Sequence, residues 1–251
     1  MRGKSHLIIG TLSAVELSVL AGFTITPLGI ISAAFFSVAA DIDEANSNSL
    51  NKLISKKFTN KIHKIIIYSL LILSFYLYIS SYKNIFLGVF LAIALIFIIE
   101  KKLTSNLIRS ILISFIFFVF ASILSLYEIN TGLTIMVLIL AFFPLMKHRS
   151  LTHSLLMLAI IYTVFTIVEN TSNISSVAFI TTASYATHLL CDMVTKRGIP
   201  LFYPFSKKNY RVSQFKVGSF FCNAIEYSTI LVVAFLLICT ISFLGVKIKL
   251  Y

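Results

Sequence analysis

Long apolar stretches alternate with short polar ones along nearly the whole chain. Nine apolar runs stand out, at about 7–23, 26–40, 62–80, 84–99, 107–127, 131–146, 151–168, 175–194 and 223–246. Leu, Ile and Phe dominate them, and they exceed the usual length of a strand, so the pattern predicts helices. Crossing the hydrocarbon core takes about 20 residues, within a range of roughly 17–25. Six runs suit a span, while 26–40, 84–99 and 131–146 are short and predict partial or embedded helices. No internal repeat is visible, and the only long polar stretches are 41–61 and 195–222. The pattern therefore predicts one all-α domain over residues 1–251, built as a polytopic membrane helical bundle.

Composition fixes the solvent of that bundle. Hydrophobic residues make up 58% of the chain and charged residues 12%, against roughly 45–50% and about 25% in an ordinary globular domain. So few charges cannot cover a soluble surface, and most of the apolar excess must face lipid. Intrinsic disorder, a secreted disulfide scaffold and a nucleic-acid-binding domain are excluded together. The three cysteines, Cys191, Cys222 and Cys239, are far apart in apolar runs with no CxxC, which predicts free thiols. The amino end reads as a retained first helix rather than a signal peptide, because Glu16 interrupts its apolar run.

Charge then orients the helices. The net charge of +12 fits cytoplasmic loops that hold the topology and attract anionic lipid headgroups. With nine crossings and the amino end inside, the cytoplasmic stretches are 1–6, 41–64, 100–109, 147–150 and 195–222. They contain every one of the 21 Lys and Arg residues except Lys83, Lys247 and Lys249. Such segregation predicts an odd number of crossings with the amino terminus in the cytoplasm.

The scarce acids and histidines carry the chemistry. His63 sits in a basic loop beside Lys61 and Lys64 and reads as a solvated surface residue. The other four His and all three Asp fall into four groups: His6, Asp41 with Asp43, His148 with His153, and His188 with Asp192. Each group lies at or near a cytoplasmic helix end. His188 and Asp192 are i,i+4 on one helix face, about 5–6 Å apart at Cβ. Asp41 and Asp43 are i,i+2, a spacing that an extended turn past a helix end would put on one side. Mixed imidazole and carboxylate donors suit zinc, manganese or iron better than calcium, and the lack of thiolates argues against a structural zinc knot. Seven donors exceed the three of a usual catalytic zinc site, so two or more ions are expected, as in sites that clamp both oxygens of a phosphoester displacement. Ionisable residues at membrane depth are costly and mark function.

The segments GKSHL at 3–7, DID at 41–43, HRSLTHS at 148–154 and YATHLLCDMVTKRGIPLFYPF at 185–205, with Glu226, run in order through the chain. Together they resemble the YdjM-like family of LexA-regulated, inner-membrane-associated metal-dependent hydrolases. The resemblance implies a helical core related to zinc-dependent phospholipase C and hydrolase chemistry. It makes His6, Asp41, Asp43, His148, His153, His188 and Asp192 metal ligands by motif position. Three departures are visible: Thr187 replaces the usual Ser before His188, Glu44 stands where the family often has His, and residues 62–127 look like an insertion.

Two further residues are candidates for catalysis. Arg149 is placed to contact a substrate phosphate bidentately, with a topological anchor as its plainer role. Glu226, opening the last apolar run, is a candidate general base or further ligand, with an interfacial acid as the plainer reading. The expected function is a metal-dependent hydrolase of the inner membrane that cleaves a phosphoester of a lipid or lipid-linked substrate at the cytoplasmic face. The alternative is a divalent-metal transporter or metal-sensing membrane protein without turnover. The metal-free lipid phosphate phosphatases also carry HxxxD, but their Lys/Arg–Arg-Pro and PSGH groups do not occur here. Cysteine labels placed in 44–60, 100–106 and 206–216 are expected to react from the cytoplasmic side, and labels in 169–174 from the outer side. Finding 41–61 and 206–216 on opposite faces would make one shared site impossible.

Overall fold

The computed structural model describes residues 2–44, 54–80 and 104–244. Among them it has eight α-helices: α1 (Gly3–Leu20), α2 (Pro27–Ala39), α3 (Lys56–Ser80), α4 (Ser105–Leu126), α5 (Thr131–Phe142), α6 (Leu155–Ser172), α7 (Val177–Met193) and α8 (Phe220–Leu244). Three short 3-10 turns, Ala40–Asp43, Phe143–Leu145 and Leu151–His153, complete it. The apolar run at 84–99 lies outside the described residues.

Polar side chains set several of the helix starts. Thr26, Thr104, Asn130 and Ser154 each accept the backbone N–H three residues on, at the starts of α2, α4, α5 and α6, which satisfies donors that a helix end leaves free. Ser154 also explains a shift from the apolar pattern. The run at 151–168 does not begin as α-helix, because residues 151–153 form a 3-10 turn before the Ser154 cap.

Nine spans are not what the described residues show. Three helices are long and apolar enough to cross a membrane: Ser105–Leu126, Leu155–Ser172 and Phe220–Phe243. α2 and α5 are too short for the hydrocarbon core, at 13 and 12 residues. α7 gives its inner face to Thr181, Ser184, His188 and Asp192, all buried. α8 presents Leu231, Phe235 and Phe243 at 71%, 67% and 90% exposure, a surface suited only to lipid.

α7 is the central element. It packs against α1, α2 and α6, while α1 also packs on α8, and α5 bridges α4 and α6. The main core joins Phe36 and Ala40 to Phe143, Met157, Ile161 and Tyr185. Phe36 meets Phe165 edge to face at 5.1 Å, a favoured aromatic geometry. Of the stretch that resembles an insertion, α4 contributes Ile113 to this core, and Ser114 donates to the Ala141 carbonyl of α5.

Close approach of α1 and α2 depends on Gly10. A Cβ there would lie 2.6 Å from the Ser37 Cβ, closer than two carbons can pack. Gly10→Ala is therefore expected to force the helices apart and destabilise the fold by about 1–3 kcal/mol, the usual cost of overpacking. Gly3→Ala meets open space and serves as the control. Thermal unfolding of both variants in detergent checks this, and an unchanged midpoint for Gly10→Ala would refute it.

Candidate metal centre

Four parts of the chain deliver the donors to one place. The 3-10 turn after α2 carries Asp41 and Asp43, the turn before α6 carries His153, and α7 carries His188 and Asp192. α1 brings His6 beside them. The Asp41–Asp43 turn is 3-10 rather than extended, and this changes what the pair does. At 3.0 residues per turn, positions i and i+2 diverge, so the two carboxylates approach His153 from different sides. Asp41 Oδ1 lies 4.0 Å from His153 Nε2, and Asp43 Oδ2 lies 3.5 Å from Nδ1.

The hydrogen bonds sort the donors into a centre and its support. His188 Nδ1 meets the Ser37 carbonyl at 2.7 Å. A carbonyl only accepts, so Nδ1 carries the proton and Nε2 is left with a lone pair. That Nε2 is buried without a hydrogen-bond partner and lies 3.8 Å from Asp41 Oδ1. His153 Nε2 is likewise buried and unpartnered, 3.5 Å from Asp192 Oδ2. Facing imidazole nitrogens to carboxylate oxygens inside a protein is costly unless a cation or proton lies between them. The donor atoms of Asp41, His153, His188 and Asp192 all fall within 4.8 Å of one another. Two nitrogens and two oxygens in that space are the chemistry of a zinc, manganese or iron site.

Around this set stands a polar frame. Asp43 is buried and fully engaged: Oδ1 meets His148 Nδ1 at 2.6 Å, while Oδ2 accepts from the Thr152 hydroxyl and from the Arg149 backbone N–H at 3.2 Å. Thr152 is also 3.0 Å from His153 Nδ1, and its carbonyl accepts from the Tyr185 hydroxyl. His6 Nε2 lies 3.3 Å from Asp192 Oδ1, and its ring stacks on His188 at 4.1 Å. Arg149 donates through Nη2 to Asp192 Oδ2 at 3.0 Å and through Nη1 to the Gly198 carbonyl at 2.7 Å.

Electrostatics here favour positive charge. Burial disfavours a charged His153 ring, yet Asp192 and Asp43 outweigh it and raise its pKa from 6.5 to about 9. Burial likewise disfavours an ionised Asp43, but hydrogen bonds and charge from His148 and His153 lower its pKa from 3.8 to about 2. Carboxylates that stay ionised while buried draw a cation to the point between them.

All seven predicted donors thus lie in one connected cluster, with distinct contacts. Asp41, His153, His188 and Asp192 form the tightest group. Asp43 and His148 form a neighbouring group with His153, and Glu44, at the position where the resemblance led to His, joins His148 and Asp41 in a third. His6 contacts the cluster through Asp192 and His188 and belongs to none of the three. Glu226 is elsewhere: it is buried, with its carboxylate accepting from the Arg2 backbone N–H at 3.1 Å and the Ser5 hydroxyl at 2.6 Å. It closes the amino end of α1, where Arg2 supplies no side-chain cap. Thr152, Tyr185 and the Ser37 carbonyl escaped the sequence reading. The first two had a signal, since Thr152 lies inside HRSLTHS and Tyr185 precedes His188 by three residues on one helix face.

Removing the frame should matter as well as removing donors. His188→Ala is expected to abolish stoichiometric divalent metal in purified protein. Thr152→Val keeps every donor but removes the hydroxyl between Asp43 and His153, and is expected to weaken metal affinity by roughly 10–100-fold. Metal titration followed by mass spectrometry measures both, and wild-type affinity in Thr152→Val would show that the hydroxyl orients nothing.

No curated protein and no solved structure matches the chain significantly. The sequence pattern of one family does match. That pattern is described as YdjM inner membrane protein and covers residues 1–250, so the chain belongs to the YdjM inner membrane protein family.

Proposed function

We propose that the chain is a metal-dependent hydrolase of the inner membrane, cleaving a phosphoester of a lipid or lipid-linked substrate at the cytoplasmic face. One observation carries the reading: the buried, unpartnered Nε2 atoms of His153 and His188 face Asp41 and Asp192. Asp41, His153, His188 and Asp192 would hold a divalent ion, zinc foremost, and Asp41, Glu44 and His148 offer a second donor group beside it. When bound, such an ion supplies Lewis-acid activation of water and neutralises charge on a phosphoryl group.

The chain's own residues account for the rest. Asp43 and Thr152 fix the His153 ring, and the Ser37 carbonyl fixes the His188 tautomer, so both imidazoles stay in place through a reaction. Arg149 brings a guanidinium to the edge of the donor cluster, where it can bind a phosphate oxygen and stabilise charge that builds in the transition state. The basic residues of 147–150 and 195–222 support a cytoplasmic site by the positive-inside tendency. A site at helix ends also differs from the midplane sites typical of transporters.

The test is product formation by wild-type protein, lost with a chelator and restored by one particular divalent metal. Asp43→Ala and His153→Ala are each expected to lower the rate at least ~100-fold, as loss of an essential centre does, while the helices stay folded. Lys57→Ala, on α3 and outside every cluster, should alter neither metal content nor rate. Stoichiometric metal with no hydrolysis across phospholipids and soluble phosphoesters would transfer the reading to a metal transporter or sensor.

A further inference from the structure

Beside the donor cluster lies a cavity of about 760 Å³, within the roughly 300–1,000 Å³ typical of ligand sites and far larger than a single phosphate fills. Its walls are basic. Lys147, Arg149, Arg197 and Lys207 line it, together with His148 and Asn209, and no carboxylate is among its described lining residues. The acids of the metal centre meet it only through its wall: Asp43 contacts His148, and Asp192 contacts Arg149. The cavity therefore adjoins the place where a scissile phosphate would sit, and continues away from it.

The charge count asks for more than one phosphate. Arg149, held on Asp192, serves the end nearest the metal centre. Lys147, Arg197 and Lys207 are three further basic side chains around the same space. Like charges sharing a cavity repel, and an anion between them relieves that repulsion. The loop bearing two of them is braced rather than loose. Ile199 and Tyr210 exchange backbone hydrogen bonds at 3.0 and 2.8 Å, and Lys196 N–H donates to the Phe215 carbonyl at 2.9 Å. Asn209 Nδ2 donates to the Arg197 carbonyl at 3.3 Å, and Arg149 grips the Gly198 carbonyl beside it. At Gly198 φ is +64°, and a Cβ there would lie 2.4 Å from the Tyr210 carbonyl oxygen, so the loop closes only with glycine at that point.

We infer that this basic cavity is a head-group subsite for a second phosphate, so that the ligand is a diphosphate or a comparably polyanionic head group rather than a phosphomonoester. The inference rests on the hydrolase reading for the identity of the scissile end, but not for the binding itself. The same diphosphate chemistry can arrive on a lipid or on a soluble molecule.

Calorimetry on the full chain in phosphatidylcholine nanodiscs, with chelator present, isolates the cavity from any metal. Inorganic pyrophosphate is expected to bind at least about tenfold more tightly than orthophosphate, the worth of one additional charge-assisted contact. Arg197→Ala and Lys207→Ala should each weaken pyrophosphate binding by about that factor, and added salt should weaken it further. Both side chains are exposed, and an unchanged thermal midpoint and metal content would confirm that the variants are folded. Equal binding of the two anions, or pyrophosphate affinity indifferent to both substitutions, would overturn the inference. Nanodiscs doped with a lipid diphosphate assign the source: displacement of pyrophosphate identifies a lipid head group, and its absence a soluble ligand. Pyrophosphate binding without hydrolysis of any phosphoester would leave the subsite standing and remove the hydrolase. Turnover with unaltered KM in both variants would do the reverse.

Discussion

Three carboxylates and four imidazoles gathered at one place in an apolar helical chain set the terms for everything around them. Each would lose several kcal/mol on leaving water unpaired. The chain offsets that loss by making every group a partner of another: Asp43 with His148, Thr152 and the Arg149 backbone, Asp192 with His6 and Arg149, and His188 with the Ser37 carbonyl. Among the nitrogens the network leaves without a hydrogen bond, those of His153 and His188 face the carboxylates of Asp192 and Asp41. The surplus is local, and it is negative on the facing side. A cation placed there would complete the arrangement.

The packing follows from this requirement. α7 must carry two donors at its end, so it is surrounded by α1, α2 and α6 instead of by lipid. Small residues along those contacts, Gly10 against Ser37 and Ser184 against the Ala33 carbonyl, let backbones approach as they do in membrane interfaces. The strongly apolar helices α4, α6 and α8 then face outward. These helices carry none of the seven donors.

Much of this was legible in the residues. Scarcity made the acids and histidines conspicuous, and i,i+4 spacing correctly joined His188 to Asp192. Helix content was readable from the apolar runs, but span count was not. Run length measures hydrophobicity, whereas α2, α5 and α7 are apolar because they pack on protein. The Asp41–Asp43 pair shows another boundary: spacing indicated proximity, but only the 3-10 turn reveals that the two carboxylates take opposite sides of one imidazole. Glu226 was legible only as two alternatives, since an acid near a motif looks alike in sequence whether it serves chemistry or closes a helix end, and the fold places it against Arg2 and Ser5.

That helix end links α1 to α8. Glu226, on the last described helix, accepts hydrogen bonds from Arg2 and Ser5, separated from them by 224 and 221 residues. Because α1 is synthesised before α8, its opening N–H groups lack this acceptor until residue 226 has been added. His6 sits one residue beyond Ser5 on the same turn. The turn that carries His6 is thus anchored by a residue more than two hundred positions away, so the donor cluster depends on α8 as well as on the helices that supply its donors.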